Sequence, residues 1–288
     1  MHFAQEETKK MEFKFKLSVL IMSLSLTACG GSSGNSSNNI TTDTSGGSDD
    51  SAENADNSSD DANTSIGDVT TTTGNCVTIA RPQVGRIEVT FSKGYDDFTP
   101  DSYWETKIIA FSDTFSSIES TSRSGSATGK IINQNISTST HTIANNFIKT
   151  TQGKVTGSSI TTDETGKEST EKFNNVTVYS PFTRNAIDRV CEGQTWTNDY
   201  DATTTSNVEN SAPFTSTFHT SQIYTIEAIN VKKTVPAGTF NTVQQTLVDG
   251  TTIIRMWGDI ATGMNIASEY KNNEGEVITY SELISFTP

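Results

Sequence analysis

Arg86-Ile87-Glu88-Val89-Thr90-Phe91 alternates apolar and polar side chains residue by residue, and that period of two decides the fold class. The same alternation returns in Asn175-Val176-Thr177-Val178-Tyr179 and in Thr279-Tyr280-Ser281-Glu282-Leu283-Ile284-Ser285-Phe286. Val, Ile, Thr, Tyr and Phe at this spacing suit a pleated strand with one face in a core and the other in water. Working outward, similar stretches run near 104–112, 127–137, 140–150, 154–162, 214–231, 240–248, 251–257 and 263–271, most of them bounded by Gly, Asn, Asp or Ser. Asp249-Gly250 stands between two such runs, and Asn272-Asn273-Glu274-Gly275 stands between the last two. Both suit hairpin turns, where Gly and Asn accept positive φ. Only Pro181 to Cys191 breaks the pattern, with Phe182, Ala186 or Ile187, and Val190 at helix-like spacing. It is read as a loop or one or two helical turns. The expectation is a single all-β domain over 76–288, with few short helices, built as a sandwich, a barrel or a curled antiparallel sheet.

Upstream of this domain the composition changes twice. Lys14 and Lys16 precede an apolar run, Leu17 to Leu26, that is too short to span a bilayer as a helix. A charged start, a short apolar middle and small residues before a cut describe a secretory signal peptide, here 1–28. Glu6 and Glu7 are out of place in a region that should be positive, and Met11-Glu12-Phe13-Lys14-Phe15-Lys16 is the compact leader expected if translation begins at Met11. Leu26-Thr27-Ala28-Cys29 resembles the bacterial lipobox. That resemblance implies cleavage before Cys29 and lipidation of its thiol and new amine, palmitate being the usual amide-linked acyl chain. Two or three acyl chains hold a protein on a membrane stably. Gly30, in place of the aspartate that retains enterobacterial lipoproteins in the inner membrane, implies delivery to the outer membrane. The face of that membrane is left open.

From Gly30 to Asn75 the chain is almost entirely Ser, Gly, Asn, Thr, Asp and Ala, with Ile40, Ile66 and Val69 as its only larger apolar residues. Such a segment buries too little surface to offset ordering entropy, so 29–75 reads as the lipidated cysteine followed by a disordered linker with an average reach of roughly 35 to 40 Å. Gly30-Gly31-Ser32-Ser33-Gly34 matches the hydrolase elbow in letters alone, since no strand precedes it and no helix follows. The linker carries eight acidic residues and no Lys or Arg, and the chain from Cys76 on carries sixteen basic against twenty-three acidic residues. Nucleic acid is excluded as a partner by that balance, because binding it requires a basic patch.

Cys76 and Cys191 are the only cysteines after Cys29, and an even pair in an exported domain is expected to bond. Neither lies in a C-x-x-C arrangement, which argues against a redox role.

Val235-Pro236-Ala237-Gly238-Thr239-Phe240, then Met256-Trp257-Gly258-Asp259 and Ala261-Thr262-Gly263-Met264, resembles a pattern found in many bacterial exported proteins and lipoproteins. Cys191-Glu192-Gly193-Gln194-Thr195-Trp196 is similar to the strand that comes earlier in it. Ala261 stands where the pattern has a second glycine. Those proteins are curled antiparallel sheets like the Lol lipoprotein carriers, and the resemblance implies a half-barrel with a concave apolar face. In the motif itself Pro236 fixes the entry to a turn, Gly238 allows positive φ, and Phe240 restarts a strand facing the core.

Catalytic groups are sparse. His141 and His219 each sit in a Thr-rich strand setting, and a triad needs a histidine beside both a nucleophile and an acid. Two isolated histidines make no zinc site, and Asp96-Asp97 and Asp199-Tyr200-Asp201 read as loop aspartates. No catalytic residue, metal site or cofactor is assigned. Trp104, Trp196 and Trp257 are the candidates to line a cavity, since aromatics supply contact area in apolar sites. The functional expectation is a non-enzymatic outer-membrane lipoprotein whose domain binds a lipid or other apolar ligand in a concave sheet. The alternative is a structural lipoprotein acting through protein–protein contacts, and a hydrolase is the third reading.

Overall fold

The computed structural model describes residues 74–95, 101–126, 129–163, 165–272 and 274–288. Signal peptide, Cys29 and the linker as far as residue 73 therefore lie outside the described residues, as do Asp96, Asp97 and Asn273. Every described element is a strand. In chain order these are β1 (Cys76–Thr78), β2 (Ile87–Gly94), β3 (Ser102–Phe111), β4 (Phe115–Ser126), β5 (Gly129–Ala144), β6 (Phe147–Thr162) and β7 (Glu168–Ala186). They are followed by β8 (Arg189–Cys191), β9 (Thr195–Val208), β10 (Phe214–Val235), β11 (Gly238–Asp249), β12 (Thr252–Asp259), β13 (Asn265–Lys271) and β14 (Val277–Thr287).

Twelve strands close on themselves in the order β10-β11-β12-β13-β14-β2-β3-β4-β5-β6-β7-β9, antiparallel throughout, while β1 and β8 form a separate two-stranded ribbon. This corrects the expected half-barrel. Closure comes from the β9–β10 pairing, which runs without a break from Phe214↔Ser206 to Thr225↔Thr195 and joins the two halves that a curled sheet would leave open. A closed barrel leaves no unpaired edge.

Pro181 to Cys191 is likewise strand, not loop or helical turn. β7 keeps its ladder with β6 through Ala186, and β8 follows after Asp188, which turns the chain at φ 63°. The stretch expected at 127–137 and the first part of that at 140–150 share one long strand, β5, and the last part of the second opens β6. The hairpin falls instead at Asn145-Asn146, both in the left-handed region at φ 54° and 63°.

The ribbon caps one end of the barrel. Cys76 and Cys191 are direct partners in it and form a disulfide, so its two strands are held covalently. Ile79 N donates to Asp188 O, Glu192 N to Asn75 O and Ala80 N to Ile260 O, tying the entering chain across the rim. Arg81 adds ion pairs to Asp188 and Asp113 at 2.7 Å. Beneath the ribbon lies the main apolar core: Phe147, Val190, Trp196, Tyr224, Ile226, Val243, Leu247, Ile254, Met256 and Tyr270, with Val77 and Ile79 packed onto it from the cap.

A second core lies elsewhere. Trp257 has the opposite strand parity to Ile254 and Met256 and so faces the outer side of the wall. Val235, Met264, Ile266, Ala267 and Leu283 cluster with it, with Ala237, Phe240 and Phe286 alongside. The V-P-A-G-T-F stretch builds this core as expected of a turn motif: Val235 pairs with Gly238 across the Pro236-Ala237 turn, Gly238 takes φ 137°, and Ala237 N donates to Leu283 O.

Candidate binding lumen

Alternation makes the inner face of a closed barrel readable from the register. On β5 the inward residues are Asn133, Asn135, Ser137, Ser139 and His141, and their partners on β4 are Ser122, Ser120, Ile118 and Ser116. Passing round the wall, Ser139 leads to Gly153 on β6, Thr177 on β7 and Thr204 on β9. On β3 the same face carries Ser102, Trp104, Thr106 and Ile108. Over this half of the barrel the inner wall is small, polar and almost without charge. The other half, under the cap, is the apolar core.

The polar side chains are tied together along the wall. Ser116 and Ser139 hydroxyls are 2.7 Å apart, Ser120 donates to Asn135 Oδ1 at 2.6 Å, Asn133 Nδ2 donates to Ser122 at 3.2 Å, and Ser206 donates to Asn175 Oδ1 at 2.5 Å. Asn135, although 5% exposed, has no protein partner for its Nδ2. By contrast Trp104, Thr106, Asn133, Thr177, Tyr179 and Thr204, on the same face, are only half-buried. An inward side chain of a closed barrel capped at one end is reached by solvent through the lumen, so Trp104, Thr106, Thr177 and Thr204 border open space, while Ser120, Ser122 and Ser137 between them are covered.

A second buried polar group lies between the halves. Tyr224 Oη donates to Gln222 Oε1 at 3.2 Å, and Gln222 Nε2 donates to Asp249 Oδ2 at 2.9 Å. Burial holds the Asp249 carboxyl above the usual carboxylate range and pushes the Tyr200 and Tyr270 phenols well up. These residues are neutral at ordinary pH or turned toward neutrality, as desolvation requires.

The three tryptophans part company. Trp196 is fully buried, stacked on Tyr224 and bonded through Nε1 to Arg184 O, so it is core. Trp257 is outside the lumen, under Lys233 Nζ at 3.7 Å from its ring. Trp104 alone lines the open half, its Nε1 donating to Ser102 Oγ at 3.1 Å. A recess of about 190 Å³ among Val89, Tyr103, Trp104, Glu105, Thr121 and Arg123 lies toward the outer side of the same wall. It is smaller than the roughly 300 Å³ at which ligand pockets begin.

Both histidines are engaged. His141 is sealed in the wall, its Nδ1 3.2 Å from Ser139 Oγ and its Nε2 2.9 Å from Ser112 O. Donation to that carbonyl puts the proton on Nε2 and leaves Nδ1 to accept from Ser139, a serine–histidine contact with no acid behind it and no path for a substrate. His219 sits on the outer wall with Nε2 and Nδ1 each 3.0 Å from a carboxylate, of Asp199 and Asp201. With both nitrogens turned to acids, neither is placed to take a proton from a hydroxyl. Asp199 and Asp201 thus belong to strand β9, not to the loop expected for them. Among the described residues no group of three or more His, Cys, Asp or Glu is arranged to hold a metal.

Asn133, Asn135, Thr177 and Thr204 were not legible as lining residues, because polar residues alternating in a strand read as the solvent face. A closed, twelve-stranded antiparallel barrel, capped and disulfide-stapled at one end, is the class that this fold defines. No family description matches the chain, and no curated protein matches it. Among solved structures it is similar to a protein of Bacteroides fragilis NCTC 9343 with a YmcC-like fold, at 10% identity and a TM-score of 0.31, covering 74% of this chain and 100% of that one. A TM-score at that level does not establish a common fold.

Proposed function

We propose that this chain is an exported protein, lipid-anchored at the outer membrane through Cys29, whose barrel binds a guest in its lumen without transforming it. The observation that carries the reading is the half-buried state of Trp104, Asn133, Thr177 and Thr204 on the inner face of a barrel closed at one end. The disulfide suits an oxidising compartment. Charged residues around the outer wall, among them Glu105, Lys107, Glu119, Arg123, Lys154 and Asp201, do not make the apolar belt that a membrane-spanning barrel shows to lipid, so attachment falls to the anchor.

The lipid or apolar ligand implied by the resemblance to Lol-type carriers fits this lumen less well than a polar guest. Its apolar half is filled by the chain's own side chains, Trp196 and Tyr224 foremost, and an acyl chain would have to displace them. The test is chemical access. In the full-length chain an Asn133→Cys variant has one free thiol, and it should react with a small neutral maleimide but not with one carrying a 5 kDa polymer. A thiol inert to both, in a folded variant, removes the lumen reading.

A further inference from the structure

Resting on that lumen reading, we infer that the guest is a neutral, hydroxyl-rich molecule, a stretch of uncharged carbohydrate chain. The chemistry of the wall selects this class. From Ser102 round to Ser206, by way of β3, β4, β5, β6, β7 and β9, the inward positions hold Ser, Thr, Asn, Gly and a few aliphatic or aromatic residues. The charged or chargeable residues among them are His141, sealed by its two contacts, and Glu171 at the far rim. An anionic or cationic guest would leave water for a wall offering no opposite charge, and that desolvation goes uncompensated. An acyl chain would strip water from the Ser and Asn groups and give no hydrogen bond back. A neutral polyol escapes both costs, since its hydroxyls donate and accept as the wall's do.

Two further features point the same way. Trp104, Phe173 and Tyr179 are half-buried aromatic residues of that face, and flat rings beside amide and hydroxyl groups match the alternating C–H faces and O–H edges of a pyranose. Asn135 supplies an unpartnered donor on the wall: its Oδ1 accepts from Ser120, while Nδ2 is nine-tenths buried and without a protein partner. A small turn of that side chain delivers the donor to a guest, and a buried donor without an acceptor is costly to leave so. The next strand gives it no competitor, because Gly157 faces inward beside it. A Cβ there would come within 2.7 Å of Asn135 Cβ and 2.2 Å of Gln134 O.

The experiment uses the full-length chain in detergent. Maltoheptaose, cellohexaose and chitohexaose are titrated by calorimetry beside oligogalacturonate of similar length and palmitate, and each is also tried as a protectant of the Asn133→Cys thiol. The expected result is saturable binding of at least one neutral oligosaccharide, at least tenfold tighter than oligogalacturonate or palmitate, with the thiol protected. Asn135→Leu, and independently Asn175→Ala, should each weaken that binding at least fivefold in protein that keeps its unfolding midpoint. If the thiol reacts with the small maleimide but no neutral oligosaccharide binds or protects, or if palmitate or the acidic sugar binds as well, the ligand class is wrong and the lumen stands. If the thiol is inert, the lumen reading fails first and takes this inference with it.

Discussion

Trp196 lies flat against Tyr224, with ring centroids 5.1 Å apart and planes 7° from parallel, across the β9–β10 ladder in which the two are direct partners. Phe147 meets the same indole edge-on at 5.4 Å from β6, so one side chain ties the closing seam of the barrel to a strand two places round the wall. Trp196→Ala should cost about 3–5 kcal/mol, the usual loss for deleting a buried aromatic. Trp196→Phe should cost clearly less, because Arg184 O keeps its second donor, Asn198 Nδ2 at 2.8 Å. Urea unfolding of the full-length chain with its disulfide intact measures both, and equal losses would show that stacking is not what the indole contributes.

The cap gives a second expectation. Cys76 and Cys191 are 115 residues apart in sequence, and a crosslink over so long a loop restricts the unfolded chain by up to about 5 kcal/mol, with measured losses commonly about 2–5 kcal/mol. The double variant Cys76→Ser, Cys191→Ser should lose stability in that range. Its amide exchange should rise first at Val77 and Ile79, whose packing onto the core depends on the ribbon. Uniform exchange across the barrel would instead mean that the staple acts only on the unfolded state.

How far the fold was legible depended on the phase of the alternation. Strands and several turns followed from period two, because pleating puts successive side chains on opposite faces whatever the architecture. Which face is inside did not follow. On β5 a reader of the sequence places Ile136 in the core and Asn135 and Ser137 in water. In the barrel Ile136 is 46% exposed while its two neighbours are 5% and 2% exposed. A closed barrel with a polar lumen reverses the ordinary rule over half its wall. The same reversal hid the lining residues, while the half-barrel expectation gave way for a separate reason, the β9–β10 pairing that closes the sheet. The Asn145-Asn146 hairpin was missed for a local reason: the polar pair lay inside a run of strand-forming residues, where only its backbone conformation marks a turn.

Two carboxylates should move stability in opposite senses with pH. Hydrogen bonding to Arg81 holds Asp188 below the usual carboxylate range, so its contribution is present above its unfolded pKa and is lost as pH falls through the lowered folded value. Asp188→Asn should therefore lose stability at pH 7, by about 0.2–1 kcal/mol given how exposed the pair is, and match the parent near pH 2. Asp249 is the reverse: burial raises it, so ionisation costs stability as pH rises through the folded value. Asp249→Asn should be more stable than the parent at pH 7 and lose that advantage below the ordinary carboxylate range. Unfolding midpoints at pH 7 and pH 2.5 test both signs, and a loss at pH 7 for Asp249→Asn would show that the Gln222 contact outweighs desolvation.

Lys233 pins the hairpin of the V-P-A-G-T-F stretch to the outer wall, with its ammonium 3.7 Å from the Trp257 ring centre and 5.5 Å from that of Tyr280. Lys233→Met keeps much of the stem and removes the charge, so it isolates the cation–π part at about 0.5–1 kcal/mol. Trp257→Leu also leaves space in the second core and should cost more. If Lys233→Met proves neutral, packing of the hairpin rests on its apolar contacts, Val235 and the Phe240–Phe286 pair among them.

Gly263 closes the rim where the entering chain crosses it. It takes φ 69°, and a Cβ built there would lie 2.2 Å from Ala80 O, a backbone atom held by its own residue's bond from Ala80 N to Ile260 O. Gly275 has a comparable φ of 82° with nothing within 4 Å of its Cβ site. Alanine at either position pays for a left-handed backbone, about 1 kcal/mol or somewhat more. Only at Gly263 must the 79–81 segment also move. Gly263→Ala should therefore destabilise the chain by at least about 1 kcal/mol more than Gly275→Ala, and the excess should vanish once the segment has already been loosened in the Cys76→Ser, Cys191→Ser background. Equal losses in all backgrounds would mean that the rim yields to the methyl group, and that the entering chain is held by Arg81 and the ribbon and not by the fit against Gly263.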